Sequence, residues 1–218
     1  MILKRIYKEN WGVSIMLKVD NRQNLVVLVG DIQNIIELAN EFYIVIIRTN
    51  CGAIKSCEEL PLLVSKTIVL DELAPGKTVR IRGKLYSCDS DENELQKYKI
   101  IVYVEYIEVI TINIIHYNDV LVSGTVASII RSSFDDAINK WVFEFVINVP
   151  RDKMVNKKTK NDKIYCIYHE DNSRCISIKV GRSIDVMGRL YTKIQHKKNR
   201  YGKIIEEHTC EIFCHNIS

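Results

Sequence analysis

Gly76-Lys77-Thr78-Val79-Arg80-Ile81-Arg82-Gly83-Lys84-Leu85-Tyr86-Ser87 returns 105 residues later as Gly181-Arg182-Ser183-Ile184-Asp185-Val186-Met187-Gly188-Arg189-Leu190-Tyr191-Thr192. Four of the twelve positions are identical and six are conservative exchanges. Agreement of that length at a fixed period marks an internal duplication. The chain therefore reads as two copies of one small β unit. What it does should follow from that unit and from how the copies differ.

Length and composition fit this division. A chain of 218 residues splits naturally into two units of about 100. The apolar residues, 47% of the chain, are rich in Ile, Val and Tyr, which suit strands. No apolar run approaches the roughly 18 residues of a membrane span, and Met1–Lys8 meets charge too early for a secretory core. A cytoplasmic protein is expected. The seven cysteines are odd in number and form no Cys-x-x-Cys pair, so reduced thiols are expected rather than a disulfide framework. His208, Cys210, Cys214 and His215 are close enough to raise a zinc site. Ligands along one flat strand surround a tetrahedral ion poorly, so buried thiols are the preferred reading and no metal is assigned.

Around the repeated phrase the strands can be placed. In the first unit they are expected at Leu25–Val29, Phe42–Arg48, Leu60–Val64, the phrase itself and Tyr98–Ile110. A two-turn helix is expected over 67–74, stopped by Pro75-Gly76. Pro61 removes a backbone donor, as expected at a sheet edge. In the second unit the strands are expected at Val120–Val122, Trp141–Val149, Ile164–Tyr168, the phrase and Ile204–Ile217, with a reduced helix before the phrase. The fold class is thus all-β: two tandem five-stranded OB-fold barrels with a short helix between strands 3 and 4. An unrelated pair of β-sandwich halves is the alternative. The domains are expected at 1–113 and 114–218. Residues 1–23 hold an alternating stretch, Val13, Ile15, Leu17 and Val19, that suits an extra strand.

The second unit resembles the bacterial single-stranded-DNA-binding protein family. The matching residues are Asn118, Val120 and Gly124; Phe145, Ile147, Val149 and Arg151; Asp162, Ile164 and Cys166; and Gly181 through Leu190. The first unit is similar more weakly, through Gly30, the 67–74 segment and its own phrase. Some members carry two OB domains per chain and dimerise, so the resemblance implies a homodimer with four such domains. It also implies a binding side on strand 3. The positions where the family stacks bases on aromatics hold Lys163, His169 and Gln195 here, and the family's acidic tail has no counterpart in Cys214–Ser218.

Charge points the same way independently. Residues 1–112 carry 14 Lys and Arg against 15 Asp and Glu, a net of −1, whereas residues 113–218 carry 17 against 12, a net of +5. The excess lies in two expected loops of the second unit, Arg151–Lys163 and Lys193–Lys203. A polyanion would be drawn there. Solvated loop tips are the competing explanation. The cations singled out are Lys153, Lys157, Lys158, Lys160, Lys163, Lys193, Lys197, Lys198 and Arg200. Strand parity puts Lys163, Tyr165, Ile167 and His169 on one side of strand 3, with Tyr191, Lys193 and Gln195 on the matching side of strand 4. Tyr165, Tyr191 and loop residue Tyr201 are the stacking candidates, with ordinary packing as the alternative. Trp141 and Phe143 share the parity of Phe145 and Ile147 and are assigned to the core.

No phosphate loop, nucleophile elbow or His-Glu-x-x-His appears, so neither an enzyme nor a cofactor is expected. Sequence-independent binding of single-stranded DNA in replication, recombination or repair is the function expected. A protein-interaction or architectural module of a replication or mobile-element complex is the alternative.

Overall fold

The computed structural model describes residues 24–39, 41–50, 57–68, 73–88, 95, 97–111, 114–151, 161–170, 178–198, 202 and 204–218. All ten expected strands are present. The first five are β1 (Asn24–Glu37), β2 (Phe42–Asn50), β3 (Cys57–Ser65), β4 (Thr78–Ser87) and β5 (Tyr98–Val109). The second five are β6 (Tyr117–Asp135), β7 (Lys140–Pro150), β8 (Asn161–Glu170), β9 (Ser183–Lys198) and β10 (Ile204–Ile217).

Within the first five, β1 pairs with β2 and β4, β2 with β3, β3 with β5 in parallel, and β5 with β4. The pairing therefore runs round the set and closes. The second five repeat it strand for strand, including the parallel pair β8–β10. Closure leaves each set with an apolar interior, and both interiors belong to one buried cluster, from Val26 and Leu28 to Phe145, Ile164 and Ile212.

The phrase recurs because the same two backbone problems recur. Gly76 and Gly181 sit at φ +85° and +83°, where a Cβ is costly. Each donates its N–H at 2.8 Å to the first strand of its set, to Ile32 and Val126 respectively. At Gly83 and Gly188 a Cβ would lie 2.3 Å from the carbonyl oxygens of Tyr103 and Phe213, too close for any other residue. The asparagine that begins each set is also reused. Asn24 exchanges two hydrogen bonds with the Leu85 backbone and Asn118 does the same with Leu190.

Of the contacts that join the sets, three map onto themselves or onto a twin when the copies are exchanged. β1 and β6 pair antiparallel from Asn24↔Val122 to Val29↔Tyr117, so that Asn24 meets Val122 as Asn118 meets Leu28. β5 and β10 meet in parallel, with Tyr98 opposite His208 and their rings 5.6 Å apart. Finally, a carboxylate from one set caps the end of the other's phrase. Asp162 accepts from the Ser87 N–H at 2.8 Å, and Glu58 from the Thr192 N–H at 3.3 Å. The Asp162 version is the stronger, because Arg151 adds a 2.6 Å ion pair to it and both side chains are almost fully buried.

Several expectations need correction. β3 is not an edge strand: it lies between β2 and β5, and its ladder to β5 is recorded from Leu62, one residue past Pro61. Of the helix expected over 67–74, residues 69–72 lie outside the described residues. Thr67 is in a turn held by the Ile68 N–H to the Ser65 carbonyl, and Leu73 and Ala74 lead into the Pro75-Gly76 turn with no regular structure. No helix occurs among the described residues, and so none there is long and apolar enough to cross a membrane. The strand suggested within 1–23 lies outside them too. Lys193, Lys197 and Lys198 are not in a loop, because the β9–β10 ladder continues to Lys198↔Ile204 and holds them on strand.

Candidate nucleic-acid interface

Three strands of the second set present one outer face. On β8, Ile164 and Cys166 are buried in the core, while Tyr165, Ile167 and His169 lie half-buried on the other side and Lys163 is exposed. On β9, Val186 and Leu190 are buried, which turns Tyr191, Lys193 and Gln195 outward. On β10, Cys210, Ile212 and Cys214 are inside and Thr209, Glu211 and Phe213 fall on the outer row. A shallow cleft of about 170 Å³ crosses this face, bordered by Tyr165, Lys193, Gln195, Glu211 and Glu144, with Lys99 reaching in from β5.

The expected site residues have the following places. The Lys99 ammonium lies 4.3 Å from the centre of the Tyr165 ring and also donates to its hydroxyl. Tyr191 opposes Glu211 across the β9–β10 ladder and donates its hydroxyl to that carboxylate. Burial, then Glu211, pushes the phenol's pKa up. Lys193 stands 3.7 Å from Glu211, and Lys197 is 2.5 Å from Glu207. Lys198 is exposed at the end of β9. His169 meets the Phe213 ring edge-on at 4.9 Å, and burial followed by the nearby Lys140 lowers its pKa. Tyr165, Tyr191 and Lys193 are thus brought together. Lys153, Lys157, Lys158, Lys160, Arg200 and Tyr201 lie outside the described residues. Phe143 is buried as expected; Trp141 is half-buried, stacked on it at 6.4 Å.

The first set has the same face, and there it is filled. Matching the ladders aligns Ile44 with Glu144, Pro61 with Tyr165, Leu63 with Ile167, Tyr86 with Tyr191 and Ile101 with Glu211. Ile44, Leu63, Tyr86 and Ile101 are at most 4% exposed and pack with Leu38, Leu95 and Tyr98 in a cluster of their own. The β4–β5 connection supplies Leu95 to that cover. The two copies therefore share a scaffold and differ at this face: an apolar plug in one, a polar cleft in the other.

Sequence reasoning missed three features of this surface. Lys99 comes from the other copy, and no spacing connects it to Tyr165. Glu144 and Glu211 are carboxylates inside apolar strands, a signal that a strand-by-strand alignment of the copies would have shown. The β6–β7 ribbon extends beyond the closed set of strands and exposes Ile129, Ile130, Phe134 and Ile138; its Phe134 ring packs edge-on to Trp141 at 5.9 Å.

The cysteine and histidine group near the C-terminus is dispersed: only His215 lies on the opposite strand parity, while His208 shares that of the two cysteines but is not buried with them. Cys210 and Cys214 are inside the core, His208 pairs with Glu206 at 2.5 Å, and His215 is exposed. Among the described residues no three His, Cys, Asp or Glu side chains gather as metal ligands.

No family model matches this sequence. No curated protein matches it either. The fold does have solved counterparts. The wild-type single-stranded DNA binding protein from Thermus aquaticus superposes with a TM-score of 0.61 at 13% identity, over 90% of this chain and 92% of that one. A deletion variant of the same protein gives 0.59 at 13% identity, over 90% and 93%. At that identity the likeness is one of fold, and it spans both five-stranded sets: this chain has the all-β fold of the Thermus aquaticus protein.

Proposed function

We propose that the chain is a tandem OB-fold protein, with domains at 1–113 and 114–218, that binds single-stranded DNA without sequence preference, mainly through the second domain. The observation that carries this reading is the difference between the copies. A face sealed by Ile44, Leu63 and Ile101 in one is, in the other, an open cleft with Tyr165, Lys193 and Gln195 on its border. Open faces of this fold take oligonucleotides by combining cations with aromatic platforms. The Thermus aquaticus protein of the same fold is a single-stranded DNA binding protein, and the second half carries the surplus of positive charge. In this reading Lys153, Lys157, Lys158, Lys160, Lys163, Lys193, Lys197, Lys198 and Arg200 meet phosphates, and Tyr165, Tyr191, Tyr201 and His169 meet bases. Replication, recombination or repair is the setting such binding serves. Two chains associate, giving four domains.

The test is fluorescence polarisation with oligo-dT over a series of salt concentrations. Log affinity should fall with log salt at about 0.7 per phosphate neutralised. Replacing Lys157, Lys158, Lys160, Lys197, Lys198 and Arg200 with Gln should flatten the slope. Absence of binding at low salt would overturn the reading. The second reading, a protein-interaction module, is favoured by the exposed Ile129, Ile130, Phe134 and Ile138 on the β6–β7 ribbon. It would then take precedence.

A further inference from the structure

We propose that Lys99, a residue of the first copy, is a phosphate-contacting residue of the second copy's cleft, so that the binding face is composite. This rests on the single-stranded DNA reading above and names a contact that the sequence did not reveal.

The other cation lining the cleft, and two beside it, are already answered by carboxylates. Lys193 stands by Glu211 at 3.7 Å, Lys197 by Glu207 at 2.5 Å, and Arg131, on the ribbon beside the cleft, by Glu144 at 3.8 Å. Lys99 is different: among the described residues its ammonium forms no ion pair with a carboxylate and is held instead by a neutral phenol, 4.3 Å from the centre of the Tyr165 ring and bonded to its hydroxyl. Its backbone is fixed, because Tyr98 and Ile100 on either side are both paired to β10 at the junction of the two copies. The four-carbon stem above it is flexible. The charge is therefore delivered to a set place with freedom to move a few ångströms.

A base stacking on Tyr165 needs a ring face that the ammonium occupies. Each base in a strand is flanked by phosphates. Displacing the ammonium from the ring therefore puts it within reach of an anion, and it exchanges a cation–π contact and a hydrogen bond to the Tyr165 hydroxyl for charge-assisted hydrogen bonds to a phosphate. The exchange also spares the complex an ammonium stripped of any partner. The asymmetry of the copies agrees. By the same ladder matching, the counterpart of Lys99 is Thr209, so the sealed face of the first copy receives no lysine at the matching place; the cation it does receive, Arg151 over the Tyr86 ring, is already held by Asp162 at 2.6 Å.

A lysine that only fastens the copies together would give the same geometry, and the experiment separates the two roles. Polarisation with fluorescein-labelled oligo-dT is read over a salt series for wild type, Lys99→Gln and Lys99→Arg, each alongside its thermal melt. The expected result is a slope for Lys99→Gln shallower by about 0.7, one phosphate, with Lys99→Arg retaining the wild-type slope. A wild-type slope in Lys99→Gln overturns the inference, even if that variant melts earlier, since the lysine is then a fastener. Tighter binding by Lys99→Gln overturns it too, since the lysine then only blocks the ring. Both leave wild-type binding intact. Failure of wild type to bind at low salt instead removes the reading beneath.

Discussion

Tyr86 and Tyr191 occupy the same place in the repeated phrase and live in different surroundings. Tyr86 is buried in an apolar cluster with the Arg151 guanidinium 4.4 Å above its ring. Tyr191 is half-buried and bonded to Glu211. Tyr165 replaces a proline of the first copy and stands at the cleft. Tyr165→Ala is expected to weaken oligo-dT binding by about 1–3 kcal/mol, the usual worth of one stacked base, with a small change in melting. Tyr86→Ala should do the reverse: a stability loss of about 3–5 kcal/mol, as for other large buried rings, with unchanged affinity per folded molecule. Titrations at matched folded fraction check both, and equal affinity losses would mean that both faces bind. At this scale parity was legible. Ile164 and Cys166 inward with Tyr165 outward follows from alternation alone. What covers an outward residue was not legible, because Lys99 and Tyr165 are 66 positions apart and only the closed pairing of strands brings them together.

Among the elements, β8 and β10 run parallel with a row of thiols on their inner sides. Cys166, Cys210 and Cys214 are at most 3% exposed. Burial pushes the Cys210 thiol up to about 12 and raises that of Cys166 as well. Alkylation of the native protein near pH 8 should therefore modify half-buried Cys88 before these three, which should react only after unfolding in guanidinium; labelling read by peptide mass checks it. The pH dependence has a definite sign. A thiol whose pKa is raised on folding keeps its proton where the unfolded thiol, near 8.5, has lost it. Stability should hold below about pH 8.5 and fall as pH rises beyond it, as urea midpoints would show. The existence and order of all ten strands were legible, because the glycines of the phrase and the Ile/Val alternation answer local demands. Lengths were not. β9 runs to Lys198 through cross-strand pairs such as Lys197 with Glu207, and β6 runs to Asp135 along a ribbon whose polar and apolar residues do not alternate cleanly, since bulges interrupt its register with β7.

Over the whole molecule, two surfaces set the behaviour of the fold. One is the buried junction at Arg151, Asp162 and Ser87. Removing one partner of such a pair strands a charge away from water, so Asp162→Ala should cost about 3–5 kcal/mol. Glu58→Ala at the twin site should cost far less, since its bond is longer and its side chain less buried; urea unfolding compares them. The other is the outer side of β1, β6 and β9, where Leu25, Leu121 and Met187 line up on one rung and are half-buried. If two chains pack through this row, sedimentation should give twice 25.3 kDa, and Leu121→Glu should return the single-chain mass. The exchange relation between the copies has one more consequence, and it is genetic. The β1–β6 ladder and the twin carboxylate caps are what a symmetric pair of separate, single-unit chains would form. In such a pair every substitution is inherited twice, so an isoleucine that plugs one face plugs both. Once the two units share one reading frame, Ile101 and Glu211 are encoded apart, and one face can close while its twin stays open to selection.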